Sequence, residues 1–196
     1  MAWLADHYIE VFGALAGIIY VFLEIRQSIW LWPVGLITSA IYVWVFFASK
    51  FYADMALQSY YVVISVYGWY WWLKGGKKYD SDSLPVTRVS MKMAGILLFI
   101  FLLLFAGIWY LLFNYTDSPV PVGDAFTTAL SIVATWMLAR KIIEHWILWI
   151  IADSVSMGLY IYKGLYPTVI LFAVYTIMAI VGYREWRKTL MNGIME

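Results

Sequence analysis

Cysteine is absent from this chain of 196 residues, which excludes disulfides, thiolate metal sites and cysteine nucleophiles. Histidine is nearly absent: His7 and His145 are the only two, and both stand near the ends of apolar runs. That placement supports neither a zinc site nor a serine–histidine hydrolase inside a bilayer. There is no GxxxxGK[ST] phosphate loop, so no ATP-driven step resides here, and no HExxH helix. The expectation is a chain that is not an enzyme and takes no cofactor. Charge is scarce too. Asp, Glu, Lys and Arg make up 13% of residues, against about 25% in ordinary soluble domains.

Hydrophobic residues fill the space, at 64%, with 12 Trp and 16 Tyr among them. Apolar runs recur along the whole length at roughly 8–25, 29–48, 53–73, 91–113, 125–140, 146–162 and 166–184. About 20 apolar residues cross a hydrocarbon core as a helix, and period-2 alternation, the mark of a barrel, is missing. The fold class is therefore all-α integral membrane, seven transmembrane helices in one domain. The net charge of +1 gives no reason to expect nucleic acid; the basic residues follow topology instead. The start, "MAWLADHYIE", reads as a retained extramembrane segment and not as a signal peptide.

Seven spans put the termini on opposite sides. With the N-terminus outside, eleven basic residues fall inside: Arg26, Lys74, Lys77, Lys78, Arg88, Lys92, Arg140, Lys141, Arg184, Arg187 and Lys188. Only Lys50 and Lys163 then lie outside. The positive-inside rule predicts N-out, C-in.

Shifting the chain by 114 residues aligns 11–72 with 125–186 without a gap. Matches include Phe12/Phe126, Arg26/Arg140, Trp32/Trp146, Tyr61/Tyr175, Gly68/Gly182 and Trp72/Trp186. Repeat one covers about 8–73, repeat two about 125–186, and the 91–113 helix links them. An odd linker helix makes the two triplets parallel. Parallel repeats occur in transporters that bind substrate near the midplane between the halves, although a duplication used only structurally fits the pattern too.

Polar residues inside the spans form stripes. Span six places Trp149, Asp153, Ser156 and Tyr160 on one face. Span three carries Asp54, Gln58, Tyr61, Ser65, Gly68 and Trp72; span two offers Gly35, Thr38, Ser39 and Tyr42; span five offers Thr128, Ser131 and Thr135. Such groups face protein or a wet cavity. Many have a plainer use: hydroxyls join helices, Gly13 and Gly17 form a small-residue packing motif, and interfacial belts claim Trp3, Trp30, Trp69, Trp71, Trp72 and Trp186. Asp153 resists that account, because a carboxylate mid-bilayer costs at least ~2.5 kcal/mol and no span interior holds a Lys or Arg. Two uses fit: neutralising a cationic aromatic ligand stacked on Trp and Tyr, or relaying protons.

The stretches "GLIT", "FYADMALQ…VYGWYWW", "LSIVATWMLARKIIEHWILWIIAD" and "GYREW" resemble the PnuC family of bacterial vitamin transporters. The resemblance implies a 3+1+3 arrangement in the inner membrane, often as a homotrimer. It also implies facilitated diffusion of a vitamin that a cytoplasmic kinase traps by phosphorylation. Members similar to the nicotinamide riboside carrier have Asn where this chain has Thr38, Ser65, Asp153 and Val181, while Gln58 and Trp146/Trp149 are retained. By that difference the thiamine-type subgroup is the nearer likeness, and nicotinamide riboside is the alternative. The expected substrate-binding residues are Asp153, Trp149, Gln58, Tyr61, Thr38, Ser39, Ser65 and Tyr42.

Overall fold

The computed structural model describes residues 8–48, 52–75 and 84–195, with side chains over 12–48, 55–75 and 84–192. Trp3, His7, Lys50, Lys77, Lys78 and the Asp54 side chain, all named above, lie outside the described residues. Seven helices follow in order: α1 Tyr8–Ile25, α2 Leu31–Ala48, α3 Tyr52–Lys74, α4 Met91–Tyr115, α5 Pro121–Ala139, α6 His145–Tyr162 and α7 Tyr166–Met195. Each coincides with an expected span. The exceptions are at the ends: α5 starts four residues early, on Pro121 at its first turn, and α7 runs eleven residues past 184. Proline suits a helix start because its missing N–H would have had no partner there.

Segments 31–48, 91–115, 121–139 and 166–192 are each long and apolar enough to cross a membrane alone. The helices α3 and α6 fall below that mark, and they are the two that carry most of the polar stripe. The deficit has a physical cause: Gln58, Ser65, Asp153 and Ser156 were placed inside spans.

The chain forms two compact units, 1–84 and 85–196. In the first, α2 packs along α3 and α1 rests more lightly on α2. In the second, α5 packs on α4 and α6, and α6 on α7. The linker helix α4 buries only Leu97, against Val133, Met137 and Ile142, and exposes apolar residues elsewhere, as a lipid-facing helix does. Ser90 caps α4, its hydroxyl accepting from the Met93 N–H at 3.3 Å.

The internal repeat is visible in atomic detail. In each unit a tryptophan inserts against a glycine: Trp32 against Gly68, and Trp146 against Gly182. A Cβ on Gly68 would stand 2.3 Å from the Trp32 ring, and one on Gly182 would stand 2.5 Å from Trp146. A second tryptophan meets each edge-on, Trp72 at 5.5 Å and Trp186 at 5.8 Å. These four tryptophans are buried, at 5% exposure or less. Trp72 and Trp186 are therefore packing residues, not members of an interfacial belt. Their proximity to the span ends disguised a glycine one helical turn earlier that makes room for the partner ring.

The first helix of each repeat also ends alike. Gln27 (φ 50°) and Lys141 (φ 51°), 114 positions apart, both take the left-handed conformation. Gln27 N–H donates to Glu24 and Ser28 N–H to Leu23; Lys141 N–H donates to Leu138 and Ile142 N–H to Met137. This is the Schellman ending, here without the usual glycine, at a cost of about 1 kcal/mol in each half. The second corner is strapped by residues 85–90. Thr87 bridges to Ile142, its N–H donating to Lys141 at 2.9 Å, while Val89 N–H donates to Glu144 Oε2 at 2.9 Å.

Candidate functional site

The α6 stripe holds. Asp153 and Ser156 are buried, at 6% and 8% exposure, and Trp149 is half-buried one turn before Asp153. The indole Nε1 of Trp149 is shielded from solvent and has no hydrogen-bond partner among the described residues, as is also true of the packed indoles of Trp32 and Trp146. A buried donor without a partner costs about 1–3 kcal/mol, so a ligand acceptor there would recover it. A carboxylate and an unused N–H thus follow each other along one helix face.

In the first unit, Ser39 (7% exposed) and Ser65 (4%) are both buried. They lie near Gly35, where an added Cβ would meet the Tyr20 ring at 2.8 Å and Ser65 Oγ at 3.3 Å. Thr38, Gln58 and Tyr61 are half-buried, and Tyr61 leans on Tyr60 with ring centroids 5.6 Å apart. Tyr42 turns its hydroxyl toward Gly13 and stacks on Phe46 at 5.7 Å, joining α1 to α2. In α5 two of the three expected hydroxyls are spent on their own helix: Ser131 donates to the Thr127 carbonyl at 2.8 Å and Thr135 to the Ser131 carbonyl at 2.7 Å.

The repeats differ where specificity would be set. Ser39 stands where the second half has Asp153, and Gly35 where it has Trp149. Tyr20 corresponds to Ala134. In the first half the ring comes from the first helix and covers a glycine on the second. In the second half the large residue is on the second helix and the small one on the first. At the aligned positions the large and small residues change helices, and both large residues carry a polar handle.

Two residues escaped the sequence reading. Glu24 is 2% exposed near the end of α1, one turn after Tyr20, and Tyr20 lies in the field of Glu24, Tyr60 and Tyr61. The rule that singles out Asp153, an acid within an apolar run, applies to Glu24 as well. It stands inside the 8–25 run, two residues before Arg26.

The chain matches the family model described as nicotinamide mononucleotide transporter over residues 7–188. It is 26% identical to the nicotinamide riboside transporter PnuC of Escherichia coli (strain K12), over 91% of this chain and 84% of that protein. It is 24% identical to the riboflavin/roseoflavin transporter RibM of Streptomyces davaonensis, over 90% and 83%. The crystal structure of the vitamin B3 transporter PnuC superposes with a TM-score of 0.76 at 21% identity, covering 97% of this chain and 85% of that one. Seven membrane helices, a tryptophan-in-glycine repeat and a match along nearly the whole length agree: the chain belongs to the nicotinamide mononucleotide transporter family, the vitamin transporters that include PnuC.

Proposed function

We propose that this protein carries nicotinamide riboside into the cytoplasm by facilitated diffusion. The observation that carries the reading is the α6 face, where buried Asp153 lies one turn from the indole N–H of Trp149, which has no partner among the described residues. Nicotinamide riboside joins a pyridinium cation to a carboxamide and a ribose. The carboxylate would balance the charge, the ring of Trp149 would stack on the pyridinium, and its N–H would donate to an oxygen. Tyr61, Gln58, Thr38, Ser39, Ser65 and Tyr42 are the further candidates for ring and hydroxyl contacts.

The sequence reading placed thiamine first, on the strength of Asp153 in place of an amide. The relatives named above reverse that order, since PnuC proteins are named for nicotinamide riboside and vitamin B3. A carboxylate serves either cation, so the substitution alone has little power to choose between them. Trapping by a cytoplasmic kinase, an N-out orientation in the inner membrane and assembly as a homo-oligomer belong to the same proposal.

The test is a thermal-shift titration of detergent-purified protein with nicotinamide riboside, thiamine and riboflavin. A ligand at 100 times its Kd stabilises the folded state by about 2.7 kcal/mol. Nicotinamide riboside should raise the midpoint, and Asp153→Asn should weaken that response at least tenfold while the ligand-free midpoint holds. A response to thiamine or riboflavin alone would refute the proposal.

A further inference from the structure

The α6 face of Trp149, Asp153 and Ser156 continues one turn further to Tyr160. A cation already stands at that end. Lys163 Nζ lies 5.7 Å from the centroid of the Tyr160 ring, within the reach of a cation–π contact. The same atom is 3.2 Å from Oδ1 of Asp124, in the first turn of α5. The other oxygen of Asp124, Oδ2, accepts from the Ser118 hydroxyl at 2.7 Å, which fixes the carboxylate. Phe172 of α7 backs the tyrosine ring, with centroids 5.1 Å apart.

A braced aromatic face and an anchored carboxylate, with an ammonium held by both, are the parts of an organic-cation site. Here the chain's own lysine occupies it. The side chains of Lys163 and Asp124 remain 23% and 32% exposed, so the rest of their unit does not close over the place, which lies at the end of the α6 span. Lys163 caps the C-terminal end of α6 on a flexible stem of four methylenes and can leave without disturbing the helix. A tethered ammonium is present at high effective concentration, so a free cation must compete with it.

We propose that Tyr160 and Asp124 form a docking site for the cationic substrate at the outer end of the α6 face, and that Lys163 is its built-in competitor. The inference rests on the substrate being a cation, as read above. The competitor sets a threshold. Cations that engage both ring and carboxylate displace it and pass toward Asp153, while the lysine shields the carboxylate from weaker ones.

The experiment is the initial rate of uptake by the full-length protein in proteoliposomes, with radiolabelled nicotinamide riboside, thiamine or riboflavin. Lys163→Gln should lower KM for the transported cation about two- to fivefold, the range of a partly exposed cation–π contact. Asp124→Asn should raise it by a similar factor. Adding Tyr160→Leu to Lys163→Gln should abolish the gain, which a merely structural ion pair would not do. Lys163→Met serves the same comparison if the glutamine variant does not insert. An unchanged or raised KM in the lysine variant overturns the inference. If thiamine is carried and nicotinamide riboside is not, the substrate reading falls, and the KM comparison with thiamine decides the docking site. If only riboflavin is carried, a neutral solute, both fall.

Discussion

Replacing Gly68 by alanine tests the architecture at its tightest point. In an exposed helix interior the change would favour folding by about 0.8–1 kcal/mol. Here the new methyl would stand 2.3, 2.4 and 2.6 Å from three atoms of the Trp32 six-membered ring. The ring has no retreat, being fully buried, with the edge of Trp72 5.5 Å away on another side. Overpacking of this kind costs about 1–3 kcal/mol or more, which outweighs the propensity gain. With three approaches this short the cost lies at the upper end, a net loss of about 2 kcal/mol. At roughly 2–4 °C per kcal/mol for a chain of this size, the melting midpoint in detergent should fall by about 4–8 °C. Trp32→Phe removes the ring atoms that collide, so the double variant should be less damaged than the two singles summed, by at least ~1 kcal/mol. The repeat demands the same of Gly182→Ala and Trp146→Phe, where the closest approach is 2.5 Å. A raised midpoint in Gly68→Ala, or strict additivity with Trp32→Phe, would refute the knob-and-socket account.

Two further outcomes follow from the second unit's corner. Burial lowers the Lys141 ammonium from its usual 10.5 to about 8. The unfolded chain then holds more protons between those values, so stability should rise from about pH 8 to about pH 10.5. Lys141→Met should flatten that rise and stabilise by about 1–3 kcal/mol below pH 8; parallel midpoint–pH curves for variant and parent would contradict the assignment. Glu144→Ala removes the acceptor for the Val89 N–H, 2.9 Å away, at about 1–2 kcal/mol, and should speed amide exchange over residues 84–90 while α4 stays protected. Unchanged exchange in that segment would mean that the strap is held by the Thr87 bonds alone.

What could be read before folding was what has a period or a composition. Seven spans, the 114-residue offset and the polar face of α6 need only the spacing of apolar and polar residues, because lipid forces every backbone group into a helix of known length. Harder to read was any residue whose role depends on what stands across from it. Trp72 and Trp186 have the address of belt residues, and only the facing Trp32 and Trp146 make them core. Ser131 and Thr135 have the address of ligands, and the second lone pair of the helix carbonyl four residues back claims each hydroxyl. Glu24 stands one residue from the end of its span, and only the packing around α1 buries it.

The sequence by itself determined that this chain lives in a bilayer as seven helices in two related triplets. Transfer from water to lipid acts on composition, and duplication leaves a register that survives in the chain. The tertiary structure alone decided which rings are knobs, that Tyr20 covers Gly35, and that Lys163 lies over Tyr160 beside Asp124. Those depend on distances of a few ångströms between residues far apart in the chain, and short-range contact energies vanish over any separation that sequence spacing can express.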